Sequence, residues 1–143
     1  MVVLERRDGA VRTLGLESKP DDLKALLKDE PENTLVVSDD FEIMGGDHAL
    51  GPVIEEHLRT CRDANGGVLV GCGIDEVADM YRGVVAQVRK THTGLVLAPR
   101  SADDGMYLSA RLPRSTGGAV PKGRGVMVTT GGWSWGAASI FIK

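Results

Sequence analysis

A chain of 143 residues, 42% hydrophobic and 26% charged, is long enough to bury one core and too apolar to default to disorder. No apolar run reaches the length of a membrane span, and the opening MVVLERRDG turns charged too soon for a signal peptide. The formal net charge of −3 hides an asymmetry: residues 1–81 carry 8 Lys/Arg against 18 Asp/Glu, whereas 82–124 carry 8 basic residues against only Asp103 and Asp104. Such a division is either a phosphate-facing or partner-facing surface, or two halves that neutralise each other within one fold.

In chain order, the apolar runs 2–4 and 10–14 flank Arg7-Asp8-Gly9, which predicts a short hairpin. Ser18-Lys19-Pro20-Asp21-Asp22 predicts a helix start, with Ser18 as cap, Pro20 in the first turn and two aspartates favouring the dipole. Leu23, Leu26 and Leu27 give that helix an apolar stripe, and Pro31-Glu32-Asn33 ends it. Residues 34–38 predict a buried strand closing on two acidic residues. Leu50, Val53, Ile54, His57, Leu58 and Cys61 recur at helical period on one face, and Asn65-Gly66-Gly67 stops the helix before a strand at 68–70.

Asp75 opens the next expected helix, with Val77, Ala78, Tyr81, Val84, Val85 and Val88 inward, followed by a strand at 95–97. Residues 126–129 and 139–142 read as closing strands, with TGGWSWGA at 130–137 a turn between them. The expected class is α/β, with parallel βαβ units over 34–97 and antiparallel strands in the tail. Residues 1–33 are expected as an N-terminal hairpin and helix, and 34–143 as one globular unit.

Chemistry concentrates first in Leu35-Val36-Val37-Ser38-Asp39-Asp40. Nucleotide hydrolases use a carboxylate at the end of a buried strand to hold Mg²⁺, and a second beside it to polarise the attacking water. Ordinary strands also end in acidic turns. The matching phosphate loop, G-x-x-x-x-G-K-[ST], is missing. The nearest segment, 118–125, has Arg-Gly in place of Lys-Ser/Thr, contains a proline and precedes a strand. His57 and Cys61, four apart on one helix, have metal-compatible spacing but lie on the apolar stripe. Cys72, in Gly-Cys-Gly, has no adjacent base and reads as structural, and buried thiols fit a reducing cytoplasm. Arg100, Arg111, Arg114 and Arg124 are candidate contacts to phosphates or to a partner.

Taken together, TLVVSDDFEIM, ANGGVLVGCGIDEVADMYRGVVAQVRKTHTGLVLAPRSADDG and LSARLPRSTGGAVPKGRGVMV resemble the C-terminal part of FtsK/SpoIIIE-type P-loop ATPase domains, especially the actinobacterial branch. The likeness spans residue 34 to the C-terminus, and its most specific parts are the Pro-Lys-Gly-Arg-Gly and Asp-Asp-Gly turns. It implies a partial P-loop/RecA-like sheet and, for the family, ATP-driven movement of a polymer through a hexameric ring. That polymer is double-stranded DNA in chromosome translocases and protein in the related type VII secretion ATPases. By position, Asp39 would be the Mg²⁺-associated, nucleotide-binding carboxylate of Walker B, and Asp40 would stand where the catalytic acidic residue does. That residue is commonly Glu in the DNA pumps, one methylene longer. Without the Walker A lysine, the resemblance implies an incomplete site that does not hydrolyse ATP alone. The expectation is a cytoplasmic chain that is a fragment, a split-gene product, or a domain that completes its site with another copy or a second ATPase chain. The alternative is a non-catalytic module docking DNA or a protein through its basic half.

Overall fold

The computed structural model describes residues 1–6, 8–15, 17–44, 48–113 and 124–137, and the chain gathers into two compact units, Met1–Gln87 and Val88–Lys143.

The first unit is built on a four-stranded mixed sheet. Strands β1 (Val2–Arg6) and β2 (Val11–Leu14) form the hairpin expected around Asp8-Gly9. β1 then pairs antiparallel with β3 (Thr34–Ser38), and β3 pairs parallel with β4 (Gly67–Val70), in the order β2-β1-β3-β4. The expected boundary at 33/34 therefore falls inside a continuous sheet. Five ladder positions tie β1 to β3, from Val2↔Ser38 to Arg6↔Thr34. Although TLVVS is apolar throughout its middle, only alternate residues are fully buried: Thr34, Val36 and Ser38, flanked by Val2 and Leu4 of β1 on the same face.

Helices supply the rest of that core. Helix α1 (Pro20–Leu27) buries Leu23 and Leu27. Its cap differs from the expectation: Lys19, not Ser18, precedes the first turn, and the Asp22 carboxylate accepts the Lys19 N–H at 2.9 Å. A 3₁₀ turn, Pro31–Asn33, leads into β3, and the short α2 (Phe41–Met44) leaves it. Helix α3 (Gly51–Thr60) buries Val53, Ile54 and His57, with Leu50 and Cys61 buried at its ends, as the periodicity requires. The helix expected after Asp75 is broken into α4 (Ile74–Asp79) and α5 (Gly83–Arg89). Gly83 takes φ +74°, which ends helical continuity, and Tyr81 is 75% exposed rather than inward.

The second unit carries an antiparallel sheet of β5 (Gly94–Leu97), β6 (Arg124–Thr129) and β7 (Gly132–Ala137). β5 joins this sheet and not β4, so the parallel alternation stops after one βαβ unit. TGGWSWGA is a tight turn followed by a strand, since β7 pairs with β6 from Thr129↔Gly132 to Arg124↔Ala137. The strand expected at 139–142 lies outside the described residues. Leu112, Val126 and Val128 form the core, with Val96, Leu108 and Ala110 packed against it. The Asp-Asp-Gly segment lies in the first turn of a 3₁₀ helix, Ala102–Leu108, capped by Ser101. Ser101 Oγ accepts the Asp103 N–H at 3.0 Å, and Asp104 accepts the N–H groups of Arg100 and Ser101. Burial works to raise the Asp104 pKa, but those hydrogen bonds and the Arg100 charge outweigh it and hold the carboxyl below its ordinary value. The Arg89 guanidinium lies 5.2 Å from the centre of the Tyr107 ring.

One buried ring fastens α3 to the start of β3. His57 Nε2 lies 3.0 Å from the Thr34 carbonyl, so that nitrogen carries the proton and donates. Cys61 Sγ is 3.1 Å from the Pro31 carbonyl and 3.4 Å from His57 Nε2. Burial pushes the His57 pKa below its ordinary 6.5, against smaller upward pulls from hydrogen bonds at Thr34 and Gly67. The unfolded chain therefore takes up the proton first as pH falls below 6.5, and this contribution to stability is present above that value and lost below it. The urea midpoint should fall between about pH 7.5 and about pH 5.5, and His57→Gln should be less stable at the upper pH but flatter across the window.

Candidate functional site

The carboxylate pair lies where β3 stops, beside the end of its parallel neighbour β4. The two chains stay joined beyond the ladder: Gly71 N–H donates to the Ser38 carbonyl at 2.8 Å, and Phe41 N–H donates to the Gly71 carbonyl at 2.9 Å. Asp39 N–H reaches the Met1 carbonyl at 3.3 Å, so the turn is also held from β1. Gly71 lets the two segments lie close, since a Cβ there would sit 2.8 Å from Asp39 Oδ1 and make that carboxylate swing aside. Asp40 adopts φ +49°, a left-handed conformation that aspartate tolerates better than most side chains, and its N–H donates to Asp39 Oδ1 at 3.0 Å. Both aspartates are exposed.

Their surroundings are acidic. Segments 38–44 and 71–79 hold Asp39, Asp40, Glu42, Asp75, Glu76 and Asp79 and no Lys or Arg. Cys72 shares this environment: burial first, then the charges of Glu42 and Glu76, push its thiol up to about 11. Glu42 Oε2 is buried without a hydrogen-bond partner. A thiol raised this far is protonated at neutral pH and is a poor nucleophile. The sequence marked Cys72 as structural but gave no sign that Glu42 and Glu76 would face it, because that depends on how α2 and α4 leave the ends of β3 and β4.

Two exposed carboxylates suit Mg²⁺, which takes one or two protein carboxylates and completes its shell with water and phosphate oxygens. Among the described residues no cluster of three or more His, Cys, Asp or Glu could cage a metal. The donor set thus fits Mg²⁺ only as an open partial site. His57 and Cys61, whose spacing allowed a metal, are committed to backbone carbonyls inside the core.

The arginines are scattered. Arg100, Arg111 and Arg124 are exposed in the second unit, and Arg114 lies outside the described residues, as does most of the glycine-rich 118–125 segment. A groove of about 760 Å³ lies between α1 and α3, bordered by Lys24, Lys28, Val53, Glu56 and Thr60, and neither Asp39 nor Asp40 lines it. No described helix is long and apolar enough to cross a membrane. The chain matches no family model, no curated protein and no solved structure.

The burial of Cys72, together with the acidic side chains around it, has a measurable consequence. At about pH 8, alkylation of Cys72 should run roughly a hundredfold slower than that of a thiol of ordinary pKa. Glu42→Gln and Glu76→Gln should each speed it, read as the rate of iodoacetamide labelling at Cys72 by mass spectrometry.

Proposed function

We propose that this chain is a nucleotide-site-incomplete segment of an FtsK/SpoIIIE-like motor, contributing its Walker B carboxylates to a site that another chain completes. One observation carries the reading: Asp39 and Asp40 stand at the carboxyl end of β3, beside parallel β4, where ligands of α/β sheets gather. In this reading Asp39 would hold Mg²⁺ and Asp40 would orient a water. When bound, the ion neutralises phosphate charge during transfer. Phosphate grip must come from elsewhere, because the chain has no Walker A segment and the residues flanking the aspartates are acidic. The translocated polymer would be DNA, or protein as in type VII secretion.

The charge division favours a second reading, a non-catalytic module that docks its partner through the basic unit. Val88–Lys143 carries eight Lys/Arg against two Asp/Glu, while Met1–Gln87 carries nine against eighteen.

The purified chain should show no ATP turnover alone. Weak Mg²⁺-dependent binding of a fluorescent ATP analogue should strengthen in the presence of a complementing P-loop ATPase chain, and Asp39→Asn should remove the Mg²⁺ dependence. Robust turnover by the chain alone would sink the proposal. Salt-dependent partner binding untouched by Asp39→Asn and Asp40→Asn, without any nucleotide response, would favour the docking module.

A further inference from the structure

The two tryptophans, expected in a turn, stand two residues apart on β7 and so share one face of the sheet. The register says which face. Trp135 lies opposite Val126 and Trp133 opposite Val128, and both valines are buried with Leu112, Leu108 and Ala110 against them. That covering layer lies over β5 and β6, where Leu108 is so close to Gly94 that a Cβ there would meet it at 2.9 Å. On β7 the same face continues as two indoles that remain 43% and 45% exposed. Arg124, also exposed, precedes Val126 by two residues and pairs with Ala137, which makes it a same-face, diagonal neighbour of Trp135.

Two half-exposed indoles beside a cation call for a flat partner that also carries negative charge. Along β7 the two side chains are separated by roughly 7 Å, about twice the spacing of stacked bases, which leaves room for a base against each ring. The unit bearing them holds eight Lys/Arg against Asp103 and Asp104 alone. A sugar chain or a proline-rich peptide would use the indoles but would gain little from that charge. A single nucleic-acid strand uses both, since bases stack on aromatic faces regardless of sequence and cations follow the phosphates. We propose that the Trp133/Trp135 face of β7, with Arg124 at its side, is a stacking platform for single-stranded nucleic acid. The platform lies in the second unit and involves neither Asp39 nor Asp40, so it stands or falls separately from the nucleotide site.

Trp133 and Trp135 are the only tryptophans in the sequence, so emission excited selectively at tryptophan, past the absorption of Tyr81 and Tyr107, reports this face alone. Titrating the full chain with an oligothymidylate of about 15 nucleotides should quench that emission saturably, with an affinity that falls as salt rises. A duplex of equal length should quench far less. Trp133→Ala and Trp135→Ala should each weaken binding by roughly 5- to 150-fold, measured by anisotropy of a labelled oligonucleotide. The Trp133→Phe/Trp135→Phe double variant should stay within roughly tenfold of the parent, since the rings still stack. Arg124→Ala should make the slope of log affinity against log salt shallower by about 0.7. If the alanine variants fail to fold by circular dichroism, the parent's quenching, the phenylalanine variant and the Arg124→Ala slope still decide. Three results would each overturn the platform: no saturable quenching by the oligonucleotide, strand binding indifferent to the alanine changes in folded protein, or quenching by a soluble glucan or proline-rich peptide but not by the strand.

Discussion

The start of β3 is the point on which the first unit is indexed. The His57 ring donates to the Thr34 carbonyl, Thr34 Oγ1 donates to the Glu30 carbonyl at 2.8 Å, and Cys61 Sγ reaches the Pro31 carbonyl. These bonds are buried or partly buried, where an unmade partner is costly, so they hold α3, the Pro31–Asn33 turn and β3 in one arrangement. From Thr34 the ladder then runs without slippage to Ser38, against β1 on one side and toward β4 on the other. A one-residue shift would turn Thr34, Val36 and Ser38 out of the core and carry Asp39 away from Gly71. The position of the carboxylates is thus a consequence of packing at the other end of the same strand.

The carboxylate end of β3 and the tryptophan face of β7 are chemically opposite. One is ringed by acidic side chains that add to burial in raising a neighbouring thiol and would repel bare phosphate; the other belongs to a unit with a strong excess of cations. The proposed motor segment, which needs phosphate ligands from another chain, and the proposed surface for a polyanion are both compatible with this polarity. Neither needs the other to be true, because the residues involved lie in separate compact units.

Much of the first unit could be read directly from residue order. The Asp8-Gly9 hairpin, the β3 strand and the apolar stripe of α3 are local signals, and each forms within a residue or two of where it is expected, whereas α3 already ends at Thr60, five residues ahead of the stop expected at Asn65-Gly66-Gly67. What went astray depended on neighbours distant in sequence. The valines at 84 and 85 continue a helical pattern with Val77 and Ala78, but Gly83 turns left-handed and exposes Tyr81. The apolar strand at 94–97 suits a parallel sheet as well as an antiparallel one, and only its pairing with β6 separates the two. Glycines around Trp133 and Trp135 carried the turn signal, whereas the ladder with β6 made the segment a strand.

For function, residue order established an apolar strand closing on Asp39-Asp40, the lack of a phosphate-loop sequence and an uneven division of charge, because all three are properties of local composition and spacing. Tertiary structure decided which strand lies beside those aspartates, that Glu42 and Glu76 act on Cys72, and that two tryptophans share an open face with Arg124. Those relations join residues tens of positions apart, or turn on which side of a sheet a side chain occupies. Strand pairing fixes both, and pairing is a choice of partners that the whole fold makes at once.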